Sequence, residues 1–334
     1  MSPLFSSRET SFSKIEAVQA VLLCIALATN ALTADWSSLY DANRLESERG
    51  GLAKDVDLVV AQEIQPFLTG SQAHAFSKLQ LDLPAIGELE PNPLDFYSAH
   101  PRHITLPLLT VAFVEDMAQA YAWLWANHYS SLTVDEYLGM LRNRAPGDFP
   151  AGRYPTPLEA LHIPANALDN AAVAQMAQRV RATALTFMLL HQFGHLSYRT
   201  AAEQAAMRHD PIEAAEEHAD AFALEIMKKN SEIPAGLLML LHGMLYLPAA
   251  PSKAHPVTVR RLDAIADFLD MRVREFAEGQ PDRRLITIAI QSLASHIRRA
   301  AGFLSDDAGQ KLWAEQGSQT TISSLAPRRI GEQR

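Results

Sequence analysis

The chain has one cysteine in 334 residues, Cys24, so it forms no intramolecular disulfide and supplies no thiolate cluster. A Cys-rich zinc ribbon is excluded, and any metal must be held by nitrogen and oxygen. Positive charge is also scarce. Lysine and arginine number 29 against 38 acidic residues, a formal charge of −9, which gives no support to a nucleic-acid partner gripped through its phosphates. The sequence contains no GxGxxG, no GxxxxGK and no GxSxG, so dinucleotide, P-loop and serine-hydrolase chemistry have no foothold. Long apolar runs are missing too. The nearest approach, Ala17 to Ala34, is interrupted by Gln19 and Asn30 and barely reaches spanning length. Before it, Arg8 and Lys14 are balanced by Glu9 and Glu16, so no net positive segment precedes the run. It reads as a buried amphipathic or core helix, and membrane association is not expected. The alternative is a secreted or N-terminally anchored protein, for which Ala26-Leu27-Ala28 would suit cleavage; a cytoplasmic location is the expectation.

What is present is an ordinary globular balance, 48% apolar and 20% charged, with enough chain to bury a core. The pattern is mostly α with at most a small β element. Helical periodicity covers Leu52 to Phe76, Leu108 to His128, Thr133 to Asn143 with Thr133 as N-cap, and a long stretch after Asp169 or Asn170 that runs through HQFGHL. Further helices are expected over Pro211 to Lys229, Pro234 to Tyr246, Val257 to Ala277 and Pro281 to Phe303. Prolines at 84, 91, 93, 101 and 107 restrict that stretch to loops and short strands, the best being His103 to Leu106. A second proline-rich stretch, Arg144 to Pro164, is too long for an idle connection and suggests a segment restricting access to a cleft. The expected organisation is an N-terminal helix and charged linker over residues 1–50, a main domain over 51–305, and a flexible polar tail over 306–334. Tyr121, Trp123, Trp125 and Tyr129 read as core aromatics and not as a ligand box.

Two features carry chemistry. His191 and His195 are the only histidines four residues apart, which puts both imidazoles on one face of a helix, within reach of one cation. Downstream, IEAAEEHADAFALEIM aligns Glu213, Glu216, Glu217 and Asp220 along one side of a helix, separated by alanines that permit close packing. An antiparallel approach of that helix would aim a carboxylate at the two imidazoles. Two histidines and one carboxylate leave a fourth position for water, the open geometry of catalytic zinc. A solvated acidic face is the competing reading of the carboxylates.

His191-Gln192-Phe193-Gly194-His195, followed by Glu216-Glu217-His218-Ala219-Asp220 and Phe222-Ala223, resembles the HExxH and ExxAD pair of gluzincin zinc metallopeptidases, especially the M48 class. Ala254-His255-Pro256 followed by Arg260, Arg261 and Leu262 is similar to the histidine-proline segment that several such families carry. The order also looks like that of the U49 peptidases. The resemblance covers about seventy residues, Phe187 to Leu262, and implies a zincin-like metallopeptidase domain hydrolysing a peptide or protein substrate. It implies Zn2+ held by His191, His195 and Glu216, with Asp220 fixing the tautomer of a ligand histidine from outside. His255 could stabilise an oxyanion or simply pack at the start of the next helix. His209 and His218 are weaker alternative ligands, and His218 lies well around the helix from Glu216.

One position departs from that pattern. Gln192 stands where the family carries the glutamate that takes a proton from zinc-bound water and returns it to the leaving amine. An amide has no basic site at neutral pH, so a loss on the order of 10² to 10⁴ in rate is expected while metal binding survives. Three explanations are open. The glutamine is a deliberate Glu→Gln replacement, or the chain is a natural pseudoprotease scaffold that binds a peptide or partner without cutting, or Glu213 or Glu217 serves as the base. The first is favoured, because a single position departs while its neighbours are kept. Oligomeric state and substrate identity are not legible.

Overall fold

The longest helical pattern in the sequence becomes the centre of the fold. In the computed structural model, which describes residues 36–87, 93–100, 102–197, 211–230, 233–247 and 255–330, residues Ala171–Ser197 form one helix whose Val173, Ala184, Leu185, Phe187 and Leu190 are buried. The architecture is mostly α. In chain order the helices are α1 (Ala42–Val59), α2 (Gly70–Phe76), α3 (Leu108–Ala126), α4 (Leu132–Asn143), α5 (Pro157–Ala160) and the central α6 (Ala171–Ser197). After these come α7 (Pro211–Lys229), α8 (Ala235–Tyr246), α9 (Val259–Phe276), α10 (Arg283–Leu304) and α11 (Asp307–Gln319). Helix α6 packs against α3, α7 and α8, and α9 pairs with α10 while also touching α7. The α8 contact is very close: a Cβ on Gly236 would lie 2.1 Å from the Val180 carbonyl oxygen, and the Gly236 N–H donates to Thr183 Oγ1. Only glycine fits there.

The β element is a three-stranded sheet of β1 (Gln80–Asp82), β2 (Tyr97–His100) and β3 (His103–Thr105) in the order β1-β3-β2. β3 runs parallel to β1, with Leu81 opposite Ile104, and antiparallel to β2, with Tyr97 opposite Thr105. Being central, β3 has both edges paired and offers no main-chain groups to a peptide. The outer strand beside α6 is β2.

Several expectations need correction. The charged stretch before residue 51 is not a linker: α1 starts at Ala42 and runs through the expected boundary at residue 50. Asp41 caps it by accepting from the Arg44 N–H, Arg44 pairs with Glu48, Glu46 pairs with Arg49, and Leu45, Leu52, Val56 and Val59 form the buried stripe. The expected helix from Leu52 to Phe76 is interrupted. A wider turn at Val60–Ile64 and a tight one at Gln65–Phe67, which contains Pro66, break the ladder, and Thr69 and Gln72 cap a fresh start at α2. Thr133 is not the cap of α4. It lies in the first turn, where its buried hydroxyl donates to the Ser130 carbonyl.

The tail reading over 306–334 also fails across most of its length. α11 is capped by Asp306, Trp313 stacks on Tyr246 at 4.4 Å, Leu325 is fully buried, and the Ile330 N–H donates to the carbonyl of His128. The Arg144 to Pro164 stretch is an anchoring segment. Tyr154 stacks on Trp36, and the Tyr137 hydroxyl donates to the Pro155 carbonyl. Among the expected core aromatics, Trp123 stacks on Tyr129 while Trp125 is 67% exposed. No helix among the described residues is long and apolar enough to cross a membrane, and the run Ala17 to Ala34 lies outside them.

Candidate metal centre

The site forms where α7 crosses the C-terminal part of α6. Gly194, inside the His191 to His195 turn, makes the crossing possible: a Cβ there would lie 2.8 Å from the Ala219 Cα. Backbones this close bring Glu216 and Asp220, one turn apart on α7, under the two imidazoles. On the other face of the same turn, Phe193 meets Phe76 and Phe222 edge to face at 5.2 and 5.4 Å, which fixes the roll of α6.

Four donors converge. The His191 Nε2 lies 3.0 Å from His195 Nε2 and 3.0 Å from His255 Nδ1, and 3.3 Å from Glu216 Oε2. The Glu216 carboxylate also reaches His195 Nε2 at 3.1 Å and His255 Nδ1 at 3.1 Å. All four ligand atoms lie within 4.8 Å of one another. Ring nitrogens whose lone pairs face each other at such distances repel unless a proton or a cation lies between them, and His191 Nε2 makes two such contacts. The group could hold a metal ion, and its donor chemistry, three imidazole nitrogens and one carboxylate, suits a divalent cation.

The surroundings are charged and largely buried. His191 is fully buried, and its Nδ1 faces Asp220 Oδ1 at 2.9 Å, which places the ring proton on Nδ1 and leaves Nε2 as the donor atom. Asp220 is gripped on its other side by the buried guanidinium of Arg261, Nε to Oδ2 at 2.5 Å and Nη2 to Oδ1 at 2.8 Å. Arg261 Nη1 lies 3.0 Å from Glu216 Oε2 and donates to the Pro256 carbonyl. Burial by itself would raise the Glu216 carboxyl, but hydrogen bonds from His191, His195 and His255 hold it well below the usual carboxylate range. For Asp220 the same burial is overcome by the charge of Arg261 and the bond from His191, again to a lowered value. Arg261 is in turn raised: burial opposes its charge, and attraction to Asp220 outweighs that.

Gln192 is 1% exposed and points into the cluster, its amide 2.8 Å from His255 Nε2 and 3.4 Å from the Phe96 carbonyl. Glu213 and Glu217 are engaged elsewhere. Thr258 Oγ1 donates to Glu213 at 2.6 Å and Arg260 pairs with Glu217 at 2.6 Å, and neither carboxylate is among the grouped donors. His218 is exposed and outside the cluster, and His209 lies outside the described residues.

Three participants were not evident as such in the sequence. His255, 64 residues beyond His191, was expected at most over the metal, and it stands among the donors. The Phe96 contribution is a main-chain carbonyl, 3.0 Å from His255 Nε2, which no motif encodes. Arg261 was visible only as part of the histidine-proline segment, with no role attached.

Residues 153–279 match the family model of Peptidase U49. That span contains every donor of the cluster, with Asp220 and Arg261, and it supports a peptidase. No curated protein and no solved structure matches the chain.

Proposed function

We propose that the chain carries a zinc centre of the gluzincin metallopeptidase type, with His191, His195 and Glu216 as its ligands and a peptide or protein as the molecule it receives. The observation that carries this reading is the convergence of those donors from two crossing helices, backed by Asp220 and Arg261. Zinc with bonds of about 2.0–2.1 Å sets tetrahedral ligand atoms about 3.3 Å apart. The spacings among His191, His195 and Glu216, 3.0 to 3.3 Å, come near that. A zinc ion bound there would supply a Lewis acid and an activated water for peptide hydrolysis.

The chain's own residues set the conditions for that chemistry. Glu216 stays ionised at every physiological pH, Asp220 keeps the His191 proton on Nδ1, and Arg261 neutralises the buried negative charge. Gln192 is the weak point, since its amide neither accepts nor returns a proton at neutral pH. This form is therefore a crippled hydrolase, consistent with a Glu→Gln replacement of the base. The second reading is a natural peptide- or partner-binding scaffold, and the ordered contact of Gln192 with His255 favours it.

Elemental analysis of the purified full chain together with digestion of candidate substrates tests both. The expected result is one zinc per chain, lost in His191→Ala, with proteolysis rising about 10²- to 10⁴-fold in Gln192→Glu. A zinc-loaded Gln192→Glu form that cuts nothing selects the scaffold, and a chain without zinc overturns both readings.

A further inference from the structure

We propose that His255 is a standing fourth ligand of the centre and that Gln192 and Phe96 hold it there, so that protein, not solvent, closes the resting metal site. This rests on the zinc-centre reading above and goes beyond it, since that reading leaves the fourth position open.

His255 Nδ1 stands close to two of the other donors, His191 Nε2 at 3.0 Å and Glu216 Oε2 at 3.1 Å. The first distance equals that between the two helix histidines. The His255 ring is held by Phe96 and Gln192. It stacks on the Phe96 ring at 4.7 Å and 14°, its Nε2 lies 3.0 Å from the Phe96 carbonyl, and the Gln192 amide approaches the same nitrogen at 2.8 Å. The following residue is pinned as well, because Arg261 donates to the Pro256 carbonyl with the guanidinium that grips Asp220.

Proton accounting gives Gln192 its part. An imidazole that ligates through Nδ1 carries its proton on Nε2, and that N–H donates to the Phe96 carbonyl. Gln192 faces the same nitrogen, and with its amide turned so that Oε1 meets the ring it shares that single N–H with the Phe96 carbonyl, giving up the 3.4 Å contact of its Nε2 with that carbonyl. A carboxylate at this position would have a second option, turning its charge toward the ion. The neutral amide lacks that option. The residue that is useless as a base is thus a fitting clamp for a ligand, and Gln192 acts on the centre through His255 as a positioning residue.

The test uses the full chain loaded with Co2+, whose visible absorption reports coordination, titrated with acetohydroxamate as a probe for an open position. Zinc affinity is measured in parallel by competition with a chromophoric chelator. The expected result is a wild-type spectrum that does not respond to acetohydroxamate, and a His255→Ala spectrum that does. Zinc affinity should fall about 10- to 100-fold in Gln192→Leu and at least as far in His255→Ala. The wild-type titration stands without any variant having to fold. A wild-type protein that takes the probe as readily as His255→Ala overturns this inference and leaves the zinc-centre reading in place. Gln192→Leu with wild-type affinity and spectrum removes the clamp. A chain that binds neither Co2+ nor Zn2+ overturns the inference together with the reading it rests on.

Discussion

Asp220 on α7 and Asp116 on α3 are both acids on helices packed against α6, and their carboxyl groups are driven in opposite directions. Asp220 is held below its ordinary range because Arg261 and His191 outweigh burial. Asp116 is pushed up to about 7 by burial, with the Tyr40 hydroxyl pulling it down through a 2.7 Å bond and the charge of Glu115 adding to the rise. Arg44, the cation that acts on Asp116, is committed to Glu48 at 2.9 Å. Burial therefore does not decide the charge of an acid in this fold; the partner set does. One region collects cations and lone pairs around two permanent negative charges, as a cation site requires. The other tolerates a carboxyl group that stays protonated up to neutrality.

The contrast breaks most forcefully at Arg261. Arg261→Met should leave Asp220 buried with only a histidine for support and destabilise the metal-free protein by about 3–5 kcal/mol in urea unfolding. A loss below about 1 kcal/mol would show that the guanidinium does not sustain the buried charge. Next comes the contact that brings the two helices together. Gly194→Ala, whose methyl would meet the Ala219 backbone, should cost about 1–3 kcal/mol. Gly50→Ala, in open space on α1, should instead gain up to about 1 kcal/mol in the same assay.

The pH-dependent effect belongs to Asp116, and its sign follows from proton binding. The folded protein keeps that proton to about pH 7, whereas an unfolded Asp releases it near about pH 4, so stability falls as pH rises through this window. Asp116→Asn, which can still accept from Tyr40, should remove that slope. It should match wild type near pH 4 and exceed it by up to about 4 kcal/mol at pH 8, measured as urea midpoints across the range. An unchanged slope would place the titration elsewhere.

What the sequence revealed follows the same division between local and distant causes. The His191 to His195 pair and the acids of α7 were legible because helical spacing brings them to one face. The β3 stretch was recognisable as a strand, but its central position was not, since strand order depends on partners far along the chain. The start of α1 was hidden because its charges, read singly as a solvated linker, pair along the helix from Arg44 to Glu48 and from Glu46 to Arg49. Residues 307–330 were hidden for another reason: a polar segment with little periodicity is anchored by a few large contacts, such as Trp313 on Tyr246 and buried Leu325. Phe96 acts through its carbonyl and leaves no trace in side-chain patterns.

The grouped donors come from α6, from α7 and from the segment just before α9, across 64 residues of chain from His191 to His255. No unfolded stretch presents them together, so occupancy by an ion and cooperative folding are thermodynamically linked. An ion at a free concentration one hundred times its dissociation constant would add about 2.7 kcal/mol to the unfolding free energy. A chelator would withdraw the same amount, making the melting temperature a direct gauge of loading.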